Sequence, residues 1–76
     1  MSNDDAANPL YWDNTYEIVL MLMERYPTVD VEMIGVEQLR QWVITLPNFA
    51  DEPDFATEEI LRDILREWYE EISFHE

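Results

Sequence analysis

Apolar residues recur at helical spacing in three stretches of the chain. In the first, Ile18, Met21, Leu22 and then Arg25 and Tyr26 fall on one face. Pro27 disfavours helical geometry at the residue before it, so this helix is predicted to stop at Tyr26. Asn14 with Glu17 three residues on has the form of a capping box, the Asn side chain taking an amide of the first turn and the Glu returning to the cap amide. Val19, Leu20 and Met23 lie on flanking faces. The helix is therefore apolar nearly all round, expected to be central or else partly covered by a partner. In the second stretch, Leu39, Trp42, Val43 and Leu46 follow i, i+3, i+4, i+7 and Pro47 closes the pattern. The third is the most regular, with Ile60, Leu61, Ile64, Leu65, Trp68 and Ile72 on one stripe. Thr57 is its predicted N-cap, and Glu58 and Glu59 sit in the first turn, where the helix dipole favours negative charge. Glu58 to Arg62 and Arg66 to Glu70 are expected i, i+4 pairs on its outer face.

Between these stretches, Asp30 is placed to cap a short turn over Val31 to Ile34, with Gly35, the only glycine, as a positive-φ stop. Residues 47–57 read as a loop broken by Pro47 and Pro53, in which Phe49 plugs the core beside Asp51, Glu52 and Asp54. Residues 1–11 show no periodicity and read as a flexible lead-in, 12–72 as one domain and 73–76 as a tail, with Trp12 pinning the start of the fold. With no alternating strand pattern and no hairpin signal, the expected class is mainly α, a small single-domain helical bundle.

Composition narrows the function. The chain has 76 residues with 18 Asp and Glu against four basic residues, all arginine, for a formal charge of -14. Such a surface repels phosphate backbones and anionic lipid, so neither nucleic acid nor a membrane surface is an expected partner. The arginine-only bias fits a saline host as well as a surface that mimics nucleic acid. The longest apolar run, Ile18 to Met23, is far short of the roughly 20 residues that span a bilayer, and the N-terminus lacks the basic start of a secretion signal. A cytoplasmic location is expected. With no cysteine, cross-links and thiolate metal sites are excluded, and the 47% of hydrophobic residues must form the core. Trp42 and Trp68 are assigned to that core, while Tyr11 and Tyr69 are expected outside it.

Catalysis lacks parts. The one histidine, His75, lies in the tail, Ser2 and Ser73 have no base nearby, and a single glycine cannot build a phosphate-binding loop. The chain is therefore read as a binding protein, not an enzyme. Oxygen-only clusters such as Asp51, Glu52 and Asp54, or Asp13 and Glu17, suit hard cations weakly, without the spacing of an EF-hand. Taken singly, these carboxylates also fit a solvated surface with helix caps among them. Summed, they attract cations and basic protein patches.

Taken in order, Trp12, Glu17-Ile18, Tyr26-Pro27, Asp30, Leu39, Gln41-Trp42, Leu46, Phe49, Asp51, Pro53, Glu58, Ile60-Leu61, Ile64-Leu65 and Trp68 resemble the pattern of the IscX family, small acidic proteins of bacterial iron-sulfur cluster assembly. The most specific parts are the Tyr-Pro that ends the first helix, the Leu-x-x-Trp of the second, the Phe-x-Asp-x-Pro loop and the Glu-x-Ile-Leu opening of the third. The resemblance implies a modified winged-helix fold that does not bind DNA. It also implies an adaptor that binds the cysteine desulfurase IscS, overlapping there with frataxin and ferredoxin, and that binds iron weakly to modulate sulfur transfer. Departures are concentrated at Gly35 to Arg40, where a threonine cap and a histidine of the family pattern are missing, at Ala50, at Ala56-Thr57 and at Tyr11.

On this reading, Asp13, Glu17, Glu24 and Asp30 are the candidate residues for weak iron(II) binding, and Asp51, Glu52, Asp54, Glu58 and Glu59 for partner binding by a monomer. Two rivals follow from the same residues. One is an acidic inhibitor or nucleic-acid mimic that blocks a basic groove on another protein. The other is a structural subunit of a larger assembly, suggested by the apolar first helix.

Overall fold

The computed structural model describes residues 9–74. Residues 1–8 of the expected lead-in, and His75 with Glu76, lie outside the described residues. Three helices follow one another, α1 (Thr15–Arg25), α2 (Val36–Ile44) and α3 (Glu58–Phe74), with single 3-10 turns at Val31–Met33 and Pro53–Phe55. No strand forms among the described residues, and the only pairing of extended backbone there is an isolated parallel bridge between Leu10 and Phe49. The class is mainly α, as the periodicity predicts. The body measures 30 × 30 × 16 Å, thin enough that every helix keeps one face in water.

Helix α3 is the element on which the others pack. Its stripe buries Leu61, Ile64 and Trp68 fully, while Ile60, Leu65 and Ile72 pack against its flanks. Thr57 caps it as predicted, Oγ1 accepting the Ile60 amide at 3.2 Å. Helix α1 lies mainly against α3 and buries Ile18, Val19 and Leu22. It is not enclosed, because Tyr16 and Leu20 on its outer face stay exposed. Tyr26 leaves helical geometry (φ -129°, ψ 66°), as Pro27 requires, and its amide still donates to the Leu22 carbonyl at 2.8 Å. From there its ring stacks on Trp42 at 4.1 Å, and Trp42 in turn meets Trp68 at 6.4 Å. Trp68 is fully buried and Trp42 half-buried, so this aromatic file ties the end of α1 through α2 to the middle of α3. The Trp68 Nε1–H finds no acceptor among the described residues.

Local expectations at three positions need correction. The capping box at Asn14 does not form: Asn14 makes no side-chain bond to the helix and instead accepts the Tyr11 amide through Oδ1 at 2.9 Å, while its own amide donates to the Tyr11 carbonyl. The preceding turn, not the helix, takes the cap. Gly35 is not a helix stop. Its backbone is extended (φ -80°, ψ 160°) and it stands as N-cap of α2, its carbonyl accepting the Leu39 amide at 3.0 Å. The preceding turn is capped by Asp30 as predicted, Oδ1 accepting the Glu32 amide at 3.1 Å. On α3, Glu58 pairs with Arg62 at 2.7 Å, but Arg66 turns back to Asp63 at 2.7 Å instead of reaching Glu70.

A glycine N-cap supplies no side-chain acceptor, and a Cβ added here meets nothing within 4 Å. Gly35→Ser is therefore expected to stabilise the protein by about 0.5–1 kcal/mol, from the new cap and the less flexible unfolded chain. Urea unfolding checks this as a rise in midpoint at unchanged slope.

Candidate functional site

The chemistry of this chain lies in carboxylates, and the segment that positions them best is the loop between α2 and α3. It is built onto Trp12. The Trp12 side chain is only 3% exposed, its ring meeting Phe49 edge-on at 5.1 Å and its Nε1–H donating to the Glu52 carbonyl at 2.7 Å. Asp51 completes the clasp: Oδ2 accepts the Trp12 amide and Oδ1 the Glu52 amide, at 2.9 and 2.8 Å. Leu10, assigned with the lead-in on sequence, is buried beside them, exchanging backbone bonds with Asn48 and Ala50 at 2.9 Å each. Arg40 adds a tie from α2, donating from Nη1 to the Pro53 carbonyl at 3.0 Å while Nε pairs with Glu37 at 3.3 Å. The loop is thus fixed from three sides.

This framework separates the nine sequence-selected carboxylates into different roles. Asp51 is a structural acceptor with both oxygens engaged. Glu52, Asp54, Glu58 and Glu59 are exposed and follow one another along the 3-10 turn and into α3. Glu58 is paired with Arg62; the backbone carbonyl of Glu52, not its carboxylate, does the structural work. Asp13 follows directly on Trp12 and so belongs to this end of the molecule. Glu17 lies just inside α1, one turn further on.

Glu24 and Asp30 are not brought to the others. Glu24 stands seven residues beyond Glu17 on α1, about 10 Å along the axis, and Asp30 is beyond the helix end, capping its own turn. Asp13, Glu17, Glu24 and Asp30 therefore do not form one ligand set. Among the described residues no group of three or more His, Asp or Glu is arranged to hold a metal ion.

Residues not selected on sequence matter as much. Phe55, in the 3-10 turn between Asp54 and buried Ala56, is 63% exposed; its signal was an aromatic among carboxylates in a loop. Arg40 was singled out on sequence only as part of the segment Gly35 to Arg40 that departs from the family pattern. Two of the other arginines, Arg62 and Arg66, line a shallow groove with Val31, Ile34, Leu65 and Tyr69, away from the Trp12 clasp in sequence. No helix among the described residues is long and apolar enough to cross a membrane.

A family model described as iron-sulphur cluster assembly matches residues 10–73, from buried Leu10 almost to the end of α3. An uncharacterized protein of Pseudomonas aeruginosa is 39% identical over 62 residues, covering 82% of this chain and 94% of that protein.

Removing the Asp51 carboxylate leaves two amides without their charged acceptor. Asp51→Ala is expected to cost about 1.5–3 kcal/mol, whereas Glu52→Ala, which keeps the carbonyl and loses only an exposed side chain, stays within about 0.5 kcal/mol of the parent. Paired urea titrations read by tryptophan fluorescence distinguish the two.

Proposed function

Because the chain belongs to the IscX family of iron-sulphur cluster assembly, we propose that it is an acidic adaptor that binds a cysteine desulfurase of the IscS type and modulates sulfur transfer. The observation that carries this reading is the fixed loop presenting Glu52, Asp54, Glu58 and Glu59 to solvent on a chain of charge -14. Such a surface steers toward a basic protein patch and sets the encounter rate more than the depth of binding. The protein acts by occupancy: a small acidic body seated on the desulfurase competes there with frataxin and ferredoxin. The modified winged-helix type belongs to the same reading, supported by the family match and the three-helix architecture, and so does action in the cytoplasm as a monomer. Self-repulsion between copies supports the last point.

Iron enters this reading only weakly. Asp13, Glu17, Glu24 and Asp30 do not fit a resident iron site. The summed field of the carboxylates instead concentrates iron(II) near the surface. Anaerobic titration of the free protein with iron(II) is expected to give weak binding that salt abolishes and that Glu24→Ala and Asp30→Ala leave unchanged. Tight one-to-one binding lost in either variant contradicts the diffuse picture.

The direct test is binding of the purified protein to its host's cysteine desulfurase at 50 and 300 mM salt. Saturable binding is expected, weakening about tenfold or more at the higher salt and to a similar extent in Glu52→Lys/Asp54→Lys. Frataxin added in excess should displace it. Those substitutions spare Asp51 and hence the loop. Absence of binding at either salt overturns the proposal.

A further inference from the structure

We propose that Phe55 is the apolar anchor of this surface, inserting into a pocket on the partner whose rim carries lysine and arginine; this rests on the desulfurase reading and names the contact that gives it residence time. Single exposed apolar side chains are ordinary. What distinguishes Phe55 is how it is held and what surrounds it. Its turn is closed by its own amide donating to the Glu52 carbonyl at 3.1 Å, and that same carbonyl receives the Trp12 indole N–H. Two residues before it, the Pro53 carbonyl is held by half-buried Arg40, and immediately after it Ala56 is buried. The backbone is therefore fixed on both sides while the ring stays 63% exposed. Little ordering remains to be done when it binds, which is the property of an anchor that works through preorganisation.

Charge selects the occupant. Within four residues of it in sequence stand the exposed carboxylates Glu52, Asp54, Glu58 and Glu59, so a partner that takes the ring also meets negative charge. A second copy of this chain carries the same excess negative charge and is repelled. A basic surface with an apolar recess matches both parts. Exposed Met33, in the other 3-10 turn, also has carboxylates within four residues, Asp30, Glu32 and Glu37, but the bonds that hold its turn are local, joining Asp30 and Val31 to Glu32, Met33 and Ile34, where the turn of Phe55 is tied to Trp12 and Arg40 from elsewhere in the chain. The division of labour is kinetic: the carboxylates govern the association rate, and Phe55 governs dissociation.

The test is rapid-mixing or surface-plasmon kinetics of the full chain with its host's cysteine desulfurase, comparing the parent with Phe55→Ala, Phe55→Trp and Glu52→Lys/Asp54→Lys. Phe55→Ala is expected to dissociate about thirtyfold faster or more, with association within twofold of the parent and the same loss at 50 and 250 mM salt. Its urea midpoint should be unchanged, because the lost ring is exposed. Phe55→Trp should restore most of the residence time, and the charge-reversed variant should lose association rate instead. If the parent binds but Phe55→Ala dissociates within twofold of it, the anchor is overturned and the adaptor reading stands. If the parent does not bind, both fall.

Discussion

Asp51 accepts two backbone amides at once, one from its neighbour Glu52 and one from Trp12, which lies 39 residues earlier in the chain. This pair of bonds closes the longest loop of the protein onto its N-terminal segment. Trp12 then fills the space beneath, with Phe49 in an edge-to-face contact and the Glu52 carbonyl on its indole N–H. Everything presented by the loop, from Glu52 through Phe55 to the first turn of α3, takes its position from that clasp. A chain with no disulfide and a thin body has few other means of holding a charged segment still.

The same economy shapes the rest of the molecule. The core is a continuous apolar cluster from Leu10 to Trp68, and it must outweigh both chain entropy and the repulsion among carboxylates. The ion pairs along α3, Glu58 with Arg62 and Asp63 with Arg66, are exposed, so they contribute little. The negative charge is therefore a cost to stability. A binding role accounts for that arrangement, and family membership gives it a setting in iron-sulphur cluster assembly.

The helices were legible because their information is local. The stripe of Leu61, Ile64 and Trp68 and the Thr57 cap need only the helical period and one hydroxyl, and both are found as read. Gly35 was misread because a residue without Cβ is acceptable both after a helix and before one, and only the position of Leu39 over its carbonyl decides between them. Asn14 had two donors to choose from, and the turn amide of Tyr11 won over the helix. At the candidate site the legible part was the supply of residue types, many carboxylates and no cysteine. What spacing could not reveal was that Asp51 is occupied by a partner far away in sequence, that Arg40 reaches the loop, or that Glu24 and Asp30 stand apart from Asp13 and Glu17. Phe55 escaped notice for a similar reason, since whether an aromatic in a loop points into the core or out of it is settled by tertiary packing.

The central claim is that one fixed end of the molecule, and not its whole acidic surface, meets the desulfurase. Amide resonances of the isotope-labelled chain, followed while unlabelled desulfurase is added in substoichiometric steps, test it most directly. The account predicts early and selective line broadening at residues 52–59 and at Trp12 and Asp13, with Arg62, Arg66 and Tyr69 affected last. Broadening centred on the groove beside Tyr69, or spread evenly over all exposed carboxylates, contradicts it.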